Sequence, residues 1–280
     1  MTGPMTEAYL HRIGLASAEV SLEGLRALMD AHLRAVPFEN LDVYYRRGVP
    51  LDGPIAVTKV TEGHRGGWCF ELNSAFALLL ESLGFTVERL AASVLLGDEE
   101  PPTPDHLTLV VHLDRDWLVD VGFGDSFTVP LPVPRAEGEP TVGNGRPRPH
   151  RVIRTGEHLV LEALREGRWQ QQFRTVTRNV SLDHFAPASE RLQNTPGLHW
   201  TETRFATRLT PTGRVTLLHD RLKLDEGGHI TEVEVTETEW NEVLTRVFRI
   251  APQPPVDRRE PPDTAARRRD LVALLSRLAE

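Results

Sequence analysis

Between Leu83 and Val87 the spacing of apolar residues changes from helical to strand-like, and no other feature limits the fold of this chain as much. Before that point, apolar positions recur every three or four residues. Ser21 is placed to cap a helix in which Leu22, Leu25, Leu28, Met29 and Leu33 share a face, and Pro37 stops it. A second helix starts near Cys69, carries Ala75, Phe76, Leu78, Leu79, Leu80 and Leu83, and ends at Gly84 as a left-handed cap would. After that point, Val87 to Leu96 is β-capable and Pro101 to Pro104 marks a loop. Leu107, Leu109, Val111 and Leu113 then alternate with Thr108, Val110 and His112, which predicts a strand with one buried face. Trp117 to Val121 returns after a short turn to complete a hairpin.

Further strands are expected at 158–164 and 169–173, joined around Glu166-Gly167, and at 205–209, 215–218 and 230–235. Thr236 with Glu239 three residues on predicts a capping box for a helix through Phe248. Residues 252–262 read as a linker rich in proline and charge. Leu271, Leu274, Leu275 and Leu278 form one face of a terminal helix, with Arg267, Arg268 and Arg269 expected as a solvated stretch near its start.

The one cysteine, Cys69, lies in Arg65-Gly66-Gly67-Trp68-Cys69-Phe70-Glu71-Leu72-Asn73, directly before the second helix. A lone cysteine is ordinarily a small buried packing residue. This one sits where a helix N-terminus provides a positive field that stabilises a thiolate, behind paired glycines that let backbone and substrate approach closely. His106 opens a strand, and Asp120 ends the next one ahead of Gly122-Phe123-Gly124. The three residues read as nucleophile, base and orienter of acyl-transfer chemistry. A hairpin turn centred on Arg115 offsets His106 from Asp120 by about four residues, or about 13 Å along straight strands. A bend, a bulge or a loop placement of His106 is therefore required to join them.

The remaining histidines carry no such pattern. His64 precedes the glycine pair and is expected to face away, and His112 is expected on the face opposite the apolar one. Neither has a second ligand at metal spacing, so no metal is expected. A net charge of −8 argues against nucleic-acid binding, and the basic run Arg146-Pro147-Arg148-Pro149-His150-Arg151 reads as an exposed connection. No apolar run is long enough to span a membrane, and residues 1–8 lack the pattern of a secretory signal. A single cysteine excludes an internal disulfide, and a reactive thiolate lasts best in a reducing compartment, so a cytoplasmic location is expected.

Four segments together resemble the arylamine N-acetyltransferases: Tyr9-Leu10-His11-Arg12-Ile13-Gly14, Pro37-Phe38-Glu39-Asn40-Leu41-Asp42, Arg65 to Asn73, and Val119 to Gly124. The resemblance covers most of the chain and is loosest in the C-terminal third. It implies an α+β fold with a cysteine-protease-like core: a helical domain at 1–85 carrying the nucleophile, a β-barrel domain at 86–190 carrying base and acid, and an α/β lid at 191–280. It implies transfer of an acetyl group from acetyl-coenzyme A, as co-substrate, to an arylamine or hydrazine by a ping-pong cycle. It also implies that Phe38, Val94 and Phe123 line the acceptor pocket, that Trp200 replaces a family phenylalanine, and that Gly122 and Gly124 leave room for the coenzyme. Glu39 and Arg65 are expected to pair in a structural role. Trp68, Asp105 and Trp200 depart from the family pattern, and Asp105 next to His106 is expected to raise the histidine's pKa. These departures leave open an amide synthase that takes an acyl chain from an acyl carrier protein. A non-enzymatic binding protein is a third reading, one that makes the triad coincidental.

Overall fold

A computed structural model describes residues 3–96, 101–143, 148–257 and 260–278. Arg146 and Pro147 of the basic run, and residues 258 and 259 of the expected linker, lie outside these. The first helices are α1 (Pro4–Ile13) and α2 (Leu22–Ala35), followed by β1 (Phe38–Glu39), α3 (Leu41–Tyr44), α4 (Gly53–Thr61) and α5 (Cys69–Leu83). A run of strands comes next: β2 (Thr86–Val94), β3 (His106–His112), β4 (Asp116–Val119), β5 (Leu131–Pro132), β6 (Thr141–Gly143), β7 (His150–Thr155), β8 (His158–Arg165) and β9 (Arg168–Asn179). The chain ends with α6 (Ala186–Asn194), α7 (His199–Glu202), β10 (Ala206–Leu209), β11 (Arg214–Leu217), β12 (Arg221–Glu226), β13 (His229–Glu234), α8 (Glu237–Phe248) and α9 (Ala265–Leu278).

Local chemistry explains the helix ends. The Ser21 hydroxyl accepts from Gly24 N at 3.0 Å to cap α2, whose Leu25, Leu28, Met29 and Leu33 are buried. Gly84 closes α5 in the left-handed conformation at φ 100°. Thr236 and Glu239 form the reciprocal capping box of α8. The turn between β8 and β9 places Glu166 and Gly167 both at positive φ, the twist that a two-residue hairpin needs.

Two antiparallel sheets result. Eight strands run in the order β5-β4-β3-β2-β9-β8-β7-β6. The edge strands β5 and β6 meet, Thr141 Oγ1 donating to the Pro132 carbonyl, so the sheet is nearly a closed barrel. The second sheet runs β1-β10-β11-β12-β13, and its first strand comes from the helical part of the chain, with Phe38 opposite Thr207. The mixture of helices and a barrel-like sheet is the α+β class expected.

Three details differ from the sequence expectations. In β3 every residue from His106 to Val111 is buried, because α5 covers one face and the barrel interior the other. Alternation is lost when both faces are covered. The β3–β4 turn is centred on Asp114 rather than Arg115, since Leu109 pairs with Val119 and His112 with Asp116. Finally, Arg267 is not solvated. Its side chain is 9% exposed and its guanidinium holds Glu239 at 2.6 Å, tying α9 to the capping box of α8.

Candidate active site

Cys69 is the first residue of α5 and is 4% exposed. Immediately before it, the Trp68 N–H is held by the Glu71 carboxylate at 3.2 Å, which fixes the start of the helix. The glycines ahead of it serve the protein's own backbone. A Cβ on Gly66 would lie 1.8 Å from the Pro37 carbonyl oxygen, so only glycine lets β1 pass this close, where Glu39 N–H donates to Gly67 O at 2.9 Å.

The hairpin register resolves the offset between base and acid. Continuing the β3–β4 pairing by one step sets Asp120 opposite Thr108, two residues from His106 and on the same face of the sheet. Such diagonal neighbours are within side-chain reach. No bulge is needed, and His106 Nε2–H donates to Asp120 Oδ2 at 2.6 Å, with both side chains buried. With Nε2 engaged by Asp120, the His106 ring also interacts electrostatically with Cys69, whose sulfur lies 4.0 Å from the Asp105 carbonyl. Burial by itself depresses an imidazole's pKa. Here Asp120 and Cys69 override it and raise His106 to about 10, so the ring is an imidazolium at neutral pH. Asp105 and the imidazolium also attract each other, but Asp105 is not among the largest causes. Its carboxylate accepts from Val94 N–H at 3.0 Å and lies 3.7 Å from Arg191.

Asn73 is the partner that motif reading quoted without assigning it work. It lies four residues after Cys69 and therefore on the same face of α5. Its amide donates to Asp120 Oδ1 at 2.9 Å and accepts from Val121 N–H at 2.9 Å. Gly122 N–H reaches the same Oδ1 at 2.9 Å. A Cβ on Gly122 would fall 2.8 Å from both the Cys69 Cα and the Asn73 amide nitrogen, so the acid loop seats directly on the start of the cysteine helix.

Aromatic side chains surround this centre. Phe123 meets the His106 ring edge-on at 5.1 Å, and Phe173 of β9 covers it at 5.4 Å. Val94 is the cross-strand partner of Phe173. Phe38 packs 6.0 Å from Trp200 and 5.7 Å from Phe205, with Gly124 against its ring. Trp68 completes the group 5.9 Å from Trp200. Asn40 holds this wall in place by donating to the carbonyls of Trp200 and Thr203 and accepting from Phe205 N–H. Phe173, Phe205 and Asn40 had no assigned role in the sequence, because long-range strand pairing brings Phe173 here and loop contacts across 160 and 165 residues join Asn40 to Trp200 and Phe205.

A balanced set of charges supports the helix start. Arg65 pairs with Glu39 at 2.7 Å, Lys59 bridges Asp42 and Glu71 at 2.7 Å each, and Arg47 reaches Asp42 at 3.1 Å. Of the other histidines, His64 is exposed and His112 pairs with Asp116 at the sheet rim. Among the described residues no cluster of three or more metal-ligating side chains occurs, and no helix is long and apolar enough to cross a membrane.

Residues 21–254 match the family model described as N-acetyltransferase. The arylamine N-acetyltransferase of Mycolicibacterium smegmatis is 34% identical over 231 residues, covering 79% of this chain and 82% of that one. The solved structure of the Salmonella typhimurium arylamine N-acetyltransferase superposes with a TM-score of 0.83 at 26% identity, covering 98% of this chain and all of that one. The Mycobacterium marinum arylamine N-acetyltransferase in complex with CoA superposes with a TM-score of 0.80 at 28% identity, covering 88% and 92%.

Proposed function

This chain belongs to the arylamine N-acetyltransferase family, and from that premise we propose how it moves an acetyl group from acetyl-coenzyme A to an arylamine or hydrazine. The Cys69 sulfur attacks the thioester carbonyl carbon. The carbon–sulfur bond to coenzyme A breaks, and the departing thiolate takes the proton held by His106. An acetyl-Cys69 thioester and a neutral imidazole remain. The acceptor amine then attacks the acetyl carbon, gives its proton to His106, and releases Cys69 as the thiolate of the original ion pair. Asp120, set by Asn73 and the Gly122 N–H, orients the imidazole and stabilises its charged form. The observation that carries this reading is the buried 2.6 Å bond from His106 to Asp120, with the thiol of a helix N-terminus on the same imidazole.

We assign the acceptor pocket to Phe38, Val94, Phe123, Gly124 and Trp200, whose flat apolar surfaces suit an aromatic ring. Residues 1–85, 86–190 and 191–280 then act as nucleophile-bearing, acid–base-bearing and covering parts of one site. The donor in this proposal is acetyl-coenzyme A rather than an acyl carrier protein, and a reducing cytoplasm suits its thiolate.

Intact-mass spectrometry tests the covalent step. Acetyl-coenzyme A without an acceptor adds one acetyl mass to the wild type and none to Cys69→Ala, and adding an arylamine removes it. Equal labelling of Cys69→Ala would overturn the nucleophile assignment.

A further inference from the structure

Away from the cysteine helix, the C-terminal ends of α1, α2 and α8 converge on a cavity of about 510 Å³. Arg12, Arg34, Arg208 and Arg249 line it, and Asp30 is the one carboxylate among its lining residues. Asp30 is already engaged by Arg34 at 2.7 Å. The cavity wall therefore carries a surplus of three positive charges, in a chain whose net charge is −8.

Helix C-termini attract cations, and part of this arrangement is ordinary capping. Arg208 Nε donates to the Val247 carbonyl of α8 at 3.0 Å, Arg34 reaches the Thr210 carbonyl at 2.9 Å, and Arg12 Nε reaches the Val60 carbonyl at 3.1 Å. Capping does not account for the rest. Arg12 Nη2 is buried without an acceptor. Among the described residues the Arg249 guanidinium has no hydrogen bond or ion pair, although its backbone holds the left-handed conformation at φ 57° that glycine would take more easily. Burial and the neighbouring Arg249 lower the Arg12 pKa, and burial, Arg249 and Arg34 lower that of Arg208. Apart from Arg34, which Asp30 pairs, the guanidinium groups repel one another with no carboxylate of the cavity wall to offset them.

The cavity is separate from the acetyl-transfer centre. Thr207 is the cross-strand partner of Phe38, so Arg208, the next residue, projects from the opposite face of the sheet, toward α8. None of the triad or acceptor-pocket residues lines it. Its volume is within the range of small-ligand sites, and guanidinium groups match phosphate oxygens bidentately.

We propose that this arginine-lined cavity binds a diphosphate-bearing small molecule. Such a group is carried both by free nucleoside diphosphates and by coenzyme A. Titration calorimetry on the full chain, with inorganic pyrophosphate and ADP as probes, tests it. The wild type and Cys69→Ala bind saturably, and more weakly as salt is raised. Arg249→Glu, a change at an exposed position, lowers the affinity about tenfold or more, and Arg12→Gln lowers it as well. The KM for acetyl-coenzyme A in Arg249→Glu separates the two sources. An unchanged KM assigns the site to a free nucleotide. A raised KM, with turnover of the phosphate-free donor p-nitrophenyl acetate unaltered, assigns it to the diphosphate of the donor. Absence of saturable binding to the wild type, or equal affinity in Arg249→Glu and Arg12→Gln, would overturn the proposal.

Discussion

Around the start of α5 each buried charge meets its opposite: His106 with Asp120, Glu39 with Arg65, and Lys59 with Asp42 and Glu71. At the ends of α1, α2 and α8, four arginines share a cavity with one aspartate. The two regions lie on the same framework, yet one is electrostatically closed and the other open. Burying a charge is tolerated when it is paired and hydrogen-bonded. A closed set therefore positions groups within the protein, whereas the open set, with Arg249 exposed, is free to take a counter-charge from outside.

The sharpest way to break the closed set is Asp120→Asn. Activity with acetyl-coenzyme A and an arylamine should fall about 10⁴-fold while the fold is kept, because an amide orients the wrong imidazole tautomer. Near-normal kcat/KM would remove Asp120 from the mechanism. The same variant has a signature in stability. The folded-state pKa of His106 is raised from 6.5 to about 10, so the pair's contribution is fully present below pH 6.5 and lost as pH rises through 10. The difference in Tm between wild type and Asp120→Asn should be largest near pH 6 and close toward pH 10.

Arg65→Met probes the structural half of the same set. It leaves the Glu39 carboxylate, 1% exposed, without its cation. Breaking a buried pair from one side costs about 3–5 kcal/mol, read as a lower urea midpoint. A shift within error would mean that Lys59 supplies the counter-charge alone. The smallest effect is expected from the open set, and with the opposite sign. Arg249→Gly removes a repelling charge and relaxes a left-handed backbone, so it should stabilise by about 1 kcal/mol in the absence of phosphate. A loss of stability would show that Arg249 already has a role in holding the fold.

What the sequence showed of all this follows the range of the interactions. The helices at 22–35 and 69–83, the capping box at Thr236 and the turn at Glu166-Gly167 depend on residues a few positions apart, and they were legible. The triad was legible as three residues but not as a geometry, since moving the turn from Arg115 to Asp114 halves the offset between His106 and Asp120. The full burial of β3 depends on α5 lying over it, and the role of Arg267 on a carboxylate 28 residues away. Asn73 was within reach of sequence reasoning, as the residue one turn after the cysteine on the same face. The arginine cavity was not, because its four arginines lie on four separate elements.

The strand Phe38–Glu39 adds a consequence in time. The Cys69 helix and the acid loop leave the ribosome well before Phe205, which is bound by Asn40 across 165 residues of chain. At about 5–20 residues per second, the nucleophile exists for several seconds before the wall that surrounds it has been made. During that interval β1 has no partner strand, and Phe38 lacks Trp200 and Phe205 beside it. Of the five residues assigned to the acceptor pocket, Phe38, Val94, Phe123 and Gly124 are made first, and Trp200 is made last.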